Sequence, residues 1–154
     1  MSAEDRLREL KLVLPPAPKP VGVYRPLLIV GALAYTSGHG PFLPDGKLLT
    51  GRVGADVDQP AGYRAARQVG VATLATLRAG LGSLNRVRRI LKTLGVVNCT
   101  PDFLHHPAVL NGFSELMAEV FGPENGVGAR SAFGANSLPG NITVEVEAIF
   151  ELES

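Results

Sequence analysis

The strongest pattern in this 154-residue chain lies near its end, in the stretch Thr143-Val-Glu-Val-Glu-Ala-Ile-Phe-Glu-Leu-Glu153. Successive side chains of an extended strand point to opposite faces, so residues two apart share a face. The apolar members share one face: Val144, Val146, Ala148, Phe150 and Leu152. The acidic members share the other: Glu145, Glu147, Glu151 and Glu153. The stretch therefore predicts a β-strand with one buried and one polar face.

Ala129 to Ala135 is the predicted hairpin partner of this strand, joined to it through the turn-forming residues 136–141. The other predicted elements, in chain order, are a hairpin of 27–30 and 33–36 around Gly31-Ala32, a helix from Asp58 to Gly80 or Gly82, a strand over 88–98, and a helix from Pro107 to Gly122. This β-β-α-β-α-β-β order, with two helices covering one face of a mostly antiparallel sheet, predicts an α+β fold.

The beginning of the chain has a different composition. Residues 3–13 predict a short amphipathic helix, and Pro15, Pro16, Pro18 and Pro20 predict an extended arm after it. We therefore divide the chain into an N-terminal amphipathic segment and proline-rich arm, residues 1–19, and a single domain, residues 20–154.

Composition limits the function classes. The chain is 45% hydrophobic and 19% charged with a net charge of +1, which gives no field suited to sequence-independent binding of nucleic acid or membranes. Its single cysteine, Cys99, has no partner for an internal disulfide, and no apolar run approaches the ~20 residues of a spanning helix. The first residues lack the uninterrupted apolar stretch of a signal peptide. These observations predict a reduced, cytoplasmic protein.

Arg130 is the first candidate for chemistry. The predicted hairpin would place it near Glu145 or Glu147, depending on register. A guanidinium binds a carboxylate through two parallel hydrogen bonds, and a nearby carboxylate can position or deprotonate water. The alternative is a surface ion pair worth less than about 1 kcal/mol, and the residues alone favour that alternative.

Two further positions are candidates. Ser37-Gly38-His39-Gly40 follows a predicted strand and offers backbone N–H groups that a ligand can approach, although its glycines also suit a simple turn. It has neither the Walker ending nor the dinucleotide-binding glycine pattern. Asn111 lies on the second helix opposite Val109 and Phe113, where it is either solvated or directed into a cleft.

Other side chains give weaker signals. His39, His105 and His106 lack the spacing of a metal site, so we expect no metal and no cofactor. Cys99 with His105 or His106 is a conceivable nucleophile, but a single cysteine is more often a small buried hydrophobe. The basic cluster, Arg86, Arg88, Arg89 and Lys92, has no interleaved aromatic residues and indicates a solvated strand edge.

Six short motifs occur together in the order and spacing of one family: Val21-Gly22-Val23-Tyr24, Tyr35-Thr36-Ser37-Gly38, Val109-Leu110-Asn111, Ala129-Arg130-Ser131, Leu138-Pro139 and Val144-Glu145-Val146-Glu147-Ala148. Over residues 20–152 the chain resembles the Rid (reactive intermediate deaminase) family, also called RidA/YjgF or endoribonuclease L-PSP. Its length and proline-rich arm resemble a longer subgroup of that family.

The resemblance implies a chorismate-mutase-like fold that forms a homotrimer with a central β-barrel and ligand clefts between subunits. It also implies hydrolysis of 2-imino acids, such as 2-iminobutanoate or 2-iminopropanoate, to 2-keto acids and ammonia. By position, Arg130 matches the arginine that binds the substrate carboxylate, and Glu145 the glutamate associated with the attacking water. The positions that match pocket-lining residues are Tyr24, Ser37, Gly38 and Asn111.

Two residues depart from the family pattern: Ala132 replaces a frequent cysteine, and His39 replaces a frequent glutamine. The changed pocket wall leaves the identity of the substrate open. The rival hypothesis is a trimeric, non-catalytic module that binds a small carboxylate in the same cleft. A ribonuclease, implied by the older family name, would need a basic channel that the composition does not favour.

Overall fold

A single mixed sheet forms the centre of the computed structural model, which describes residues 1–154. Its five strands lie in the order β1-β2-β5-β3-β4. Their bounds are β1 Leu27–Val30, β2 Leu33–His39, β3 Val87–Asn98, β4 Ala129–Ala135 and β5 Val144–Leu152. Every neighbouring pair is antiparallel except β3 and β4, which are parallel. The sheet is thus mostly antiparallel, as predicted.

Three α-helices complete the fold: α1 Ala3–Glu9, α2 Gln59–Leu81 and α3 His106–Phe121. Both ends of α2 have the capping residues that the sequence predicts. The Asp58 carboxylate accepts from the Ala61 N–H at 2.9 Å at the start, and Gly82 ends the helix at φ +83°. At Gly112 on α3, an added Cβ would clash with the Tyr63 carbonyl oxygen of α2. The two long helices therefore pack closely, and the predicted α+β class is confirmed.

The hydrophobic core lies between these helices and one face of the sheet. Val146 and Phe150 of β5 are fully buried against it, whereas Glu147 between them is exposed. Leu74 of α2 and Phe113 of α3 supply large buried side chains from the helical layer. The period-two pattern of β5 thus divides the sheet into a helix-facing side and an outer side.

The predicted hairpin of β4 and β5 is wrong. β4 pairs only with β3, in register from Lys92 with Ala129 to Asn98 with Ala135, while β5 lies between β2 and β3. Because α3 carries the chain from the end of β3 back to its beginning, β4 enters the sheet parallel to β3. The connection after Ala135 then brings β5 to the centre of the sheet, where it has two neighbours.

The N-terminal helix is shorter than the predicted 3–13 and joins the same core. Ser2 and Asp5 form a reciprocal capping box at its start. Ala3 and Leu7 are buried among the core residues. The domain boundary between residues 19 and 20 stays a prediction. None of the helices is long and apolar enough to cross a membrane.

Candidate functional site

The outer side of the sheet carries no helix and contains an open cleft. The cleft has a volume of about 520 Å³, with an apolar floor that includes Tyr35, Leu94 and Ile149. Ser37 and Glu147 lie along it, so it extends towards the Ser37-Gly38 segment that the sequence singled out. A small molecule of mixed polarity fits a concavity of this kind.

Glu145 lies on the outer side of β5, beside Gly38. A Cβ added to Gly38 would lie 2.7 Å from Glu145 Oε2, so only glycine lets the carboxylate lie so close to the β2 backbone. Burial raises the pKa of Glu145, and the negative charge of Glu147 raises it further. A carboxylate with a raised pKa is better suited to accept a proton near neutral pH than an ordinary surface glutamate.

A β-bulge brings Gly38 to this position. Thr36 is in register with Ala148 and His39 with Val146, so Ser37 and Gly38 together lie opposite the single residue between those two partners. At the bulge the Thr36 side chain also bonds to the β5 backbone. Its hydroxyl accepts from the Ala148 N–H at 3.0 Å and donates to the Ala148 carbonyl at 3.2 Å. Such a bulge redirects the backbone locally.

Ser37 and Tyr24 connect this bulge to residues 21–26, which follow the N-terminal arm. The Ser37 hydroxyl donates to the Arg25 carbonyl at 2.6 Å, and its N–H donates to the Pro26 carbonyl at 3.0 Å. The Tyr24 hydroxyl accepts from the Val21 N–H at 3.3 Å. Tyr24 and Gly38 line one small pocket of about 60 Å³. The structure thus brings together four predicted site residues: Tyr24, Ser37, Gly38 and Glu145.

Arg130 lies in a second pocket, of about 270 Å³, between β4 and α3. One guanidinium nitrogen donates to Asn111 Oδ1 at 2.9 Å and to Ser114 Oγ at 3.1 Å. Arg130 forms no ion pair, so its other N–H groups have no carboxylate partner. Asn111 is therefore directed into a pocket and orients Arg130. Ser114 was missed, although its position three residues after Asn111 places both on one helix face.

Arg130 and Glu145 do not meet within one chain. Arg130 is in register with Thr93, which is buried under the helices, whereas Glu145 is in register with Val96 on the outer side. Residues in register share a face of the sheet, and β3 separates the two strands. The expectation that a hairpin brings them together is wrong, and a surface ion pair between them within one chain is excluded. Each chain instead carries two separate candidate sites, one centred on Arg130 and one on Glu145.

Two residues that the sequence raised, Ala132 and Cys99, lie outside both candidate sites. His39 lines the small pocket of Tyr24 and Gly38, although its ring is on the helix-facing side and only 3% of the residue is exposed. Ala132 is partly buried and packs against the core. Burial raises the pKa of the Cys99 thiol, which disfavours the thiolate that a nucleophile requires. No cluster of three or more histidine, cysteine or acidic residues is placed to hold a metal ion.

The chain belongs to a known family with this fold: the profile of the family described as "YjgF/chorismate mutase-like, putative endoribonuclease" matches residues 4–152. Membership of the longer subgroup stays a prediction.

Three similar proteins span nearly the whole chain. Protein TCP17 of Trypanosoma cruzi is 36% identical over 148 residues, covering 96% of this chain and 92% of that protein. A Shewanella oneidensis protein described as a "putative endoribonuclease" is 35% identical, with a TM-score of 0.94 over 99% of this chain and 100% of its own. RidA of the Antarctic bacterium Psychrobacter sp. is 26% identical, with a TM-score of 0.58 over 88% of this chain and 93% of its own.

Proposed function

We propose that this protein hydrolyses 2-imino acids to 2-keto acids and ammonia in a cleft shared between two subunits of a homotrimer. One observation carries the proposal: an arginine without a carboxylate partner and a glutamate with a raised pKa lie on opposite sides of the same sheet. Arg130 is suited to bind the substrate carboxylate and Glu145 to accept a proton. A second copy of the chain can bring the two residues into one cleft.

The outer side of the sheet supports assembly with another copy. Phe133 is 48% exposed, Tyr35 38% and Leu28 45%, on a side that no helix of the same chain covers. A monomer leaves these side chains in water, whereas packing against a neighbour removes their apolar surface from it. A ring of three copies can place the β4 edge of each chain, with Arg130, beside the Glu145 face of the next.

In the proposed shared cleft, the Arg130 site of one chain and the Glu145 site of another are the two half-sites, and together they suggest a simple reaction sequence. The guanidinium of Arg130 binds the substrate carboxylate, with Asn111 and Ser114 holding its orientation. Glu145 accepts a proton from a water molecule as the water oxygen bonds to the imine carbon. Glu145 then returns that proton to the nitrogen of the tetrahedral adduct. As the C–N bond breaks and ammonia leaves, Glu145 takes the proton of the new hydroxyl group, the carbonyl forms, and the proton passes to ammonia. Ser37 donates its only hydroxyl hydrogen to Arg25, so its oxygen remains free to accept from the substrate's iminium N–H.

A second candidate is a module that binds a small carboxylate without turnover. The Arg130 pocket favours it, because arginine, Asn111 and Ser114 are already assembled within one chain. The endoribonuclease activity named for the Shewanella relative has less support here, because a net charge of +1 gives little attraction for a polyanion.

The decisive assay couples the protein to a pyridoxal-phosphate dehydratase that releases 2-iminobutanoate, and follows the decay of the imine by absorbance. We expect the wild type to accelerate decay and Glu145→Gln to lose about 100-fold or more of that acceleration. Glu145→Gln should still bind 2-ketobutyrate in calorimetry, because Arg130 is intact. Glu153→Gln, an exposed glutamate beyond the end of the same strand, is the matched control and should behave as the wild type. A wild type that binds the keto acid but leaves imine decay at its uncatalysed rate is a binding module.

A further inference from the structure

The β2 bulge beside Glu145 is also held from the helix-facing side. The His39 ring packs there with Nδ1 2.6 Å from the Ser37 carbonyl oxygen and Nε2 2.8 Å from Thr76 Oγ1. His39 is 3% exposed and Thr76, on α2, is 5% exposed. Ser37 is one of the two bulged residues, so this ring links the bulge directly to the helical layer.

The partners define the state of the ring. A carbonyl oxygen only accepts, so Nδ1 must carry the hydrogen and donate it to Ser37. In the neutral ring Nε2 is then an acceptor, and the Thr76 hydroxyl donates to it. Burial lowers the pKa of His39, in keeping with a neutral ring near pH 7. The side chain therefore serves as one donor and one acceptor, both of which are used.

We propose that His39 and Thr76 form a clamp that holds the Ser37-Gly38 bulge against Glu145, so that His39 is a positioning residue for the proposed reaction. The inference rests on the proposed function for its catalytic consequence. Ser37 and Gly38 lie outside the regular pairing of β2 with β5. The Glu145 carboxylate lies against Gly38 with no side chain between them. A bulge anchored only by the sheet could relax away from Glu145, and small displacements of a catalytic group lower a rate steeply.

Four variants test the clamp. Thr76→Val removes the hydroxyl that holds Nε2, and we expect kcat for imine hydrolysis to fall about tenfold while KM changes little, because the Arg130 pocket is untouched. Thr73→Val is the matched control, since Thr73 is a buried threonine of the same helix whose hydroxyl bonds only within it, to Val69. His39→Gln keeps a donor and an acceptor and should retain most activity. His39→Leu keeps neither and should lose at least as much activity as Thr76→Val.

Two spectroscopic readouts are independent of turnover. The ¹⁵N shifts of the His39 ring should report hydrogen on Nδ1 and none on Nε2. The pKa of Glu145, read from its carboxyl ¹³C shift, should fall towards the ordinary value in Thr76→Val, because a loosened bulge admits water to the carboxylate. In Thr73→Val that pKa should not move.

Either spectroscopic readout can contradict the clamp. The first contradicting result is a His39 ring with its hydrogen on Nε2 instead of Nδ1. The second is a Glu145 pKa that is the same in Thr76→Val as in Thr73→Val. Equal kcat in these two threonine variants of an active enzyme also contradicts it. If the wild type hydrolyses no imine, the proposed function fails, and the ring tautomer and the Glu145 pKa still decide whether the clamp exists.

Discussion

Gly38 lies directly against the carboxylate of Glu145: an added Cβ at Gly38 would come within 2.7 Å of Oε2 and 2.9 Å of the carboxyl carbon. The contact is with the end of a flexible side chain, so Gly38→Ala should displace the carboxylate and leave the sheet folded. We expect imine hydrolysis to fall about tenfold or more, with little change in melting temperature. Gly22→Ala is the control, because its added Cβ would make only ordinary contacts, the nearest at 3.6 Å. Equal activity of these two alanine variants would show that the close approach at Gly38 has no catalytic role.

The pH dependence of the reaction should reflect the raised pKa of Glu145. Hydrolysis needs the carboxylate form, so the rate should decline as the pH falls through this pKa, at a higher pH than for an ordinary glutamate. Glu147→Gln removes a neighbouring negative charge that raises this pKa, so the acid limb of the pH–rate profile should shift to lower pH. The control Glu153→Gln should leave the limb in place. A shift to higher pH in Glu147→Gln would have the wrong sign for the proposed base.

Arg130 should be intolerant of lysine. Its guanidinium is oriented by Asn111 and Ser114, and its remaining N–H groups can bind a carboxylate through two bonds. An ammonium keeps the charge but loses that geometry, so Arg130→Lys should lose nearly as much activity as Arg130→Ala. Both variants should retain the oligomeric mass of the wild type. Arg64, an exposed arginine of α2, serves as control, and Arg64→Ala should be fully active. Full imine hydrolysis by a folded Arg130→Ala protein would remove Arg130 from the site.

The exposed outer side of the sheet predicts assembly. Light scattering at micromolar concentration should give three times the 16.2 kDa mass of one chain. Phe133 lies on the outer side in register with Val96, so Phe133→Asp should place a charge in the subunit interface and lower the mass. Val13→Asp alters a 71% exposed residue of the N-terminal arm and should leave the mass unchanged. A monomeric wild type would contradict the shared cleft.

The sequence predicted the elements because their signals are local. The alternation along β5, the Asp58 cap and the glycine that ends α2 each act within a few residues, and the structure has these features where the patterns indicate them. The order of strands in the sheet is not a local property. Strands adjacent in sequence often pair, which favoured a β4-β5 hairpin, but the α3 crossover makes β4 an edge strand beside β3.

The candidate site was predictable by residue type and not by geometry. The sequence proposes Arg130 as binder and Glu145 as base, and these roles stay predictions; the strand order puts the two residues on opposite sides of the sheet. The hydrogen bond between His39 and Thr76 joins residues 37 positions apart, and no sequence periodicity reports a contact of that kind. Thr76 gave no signal because it lies among the small buried residues of α2, where a threonine looks like core packing.

The central claim, a catalytic cleft built from Arg130 of one subunit and Glu145 of another, is tested most directly by mixing two inactive variants. Arg130→Ala and Glu145→Gln chains are co-expressed and the mixed oligomers are assayed for 2-iminobutanoate hydrolysis. In a randomly mixed trimer about one quarter of the clefts combine both intact residues, so we predict about one quarter of the wild-type rate. If Arg130 and Glu145 acted within one chain, no intact site could form. Activity that stays at the level of the single variants would therefore contradict the shared site.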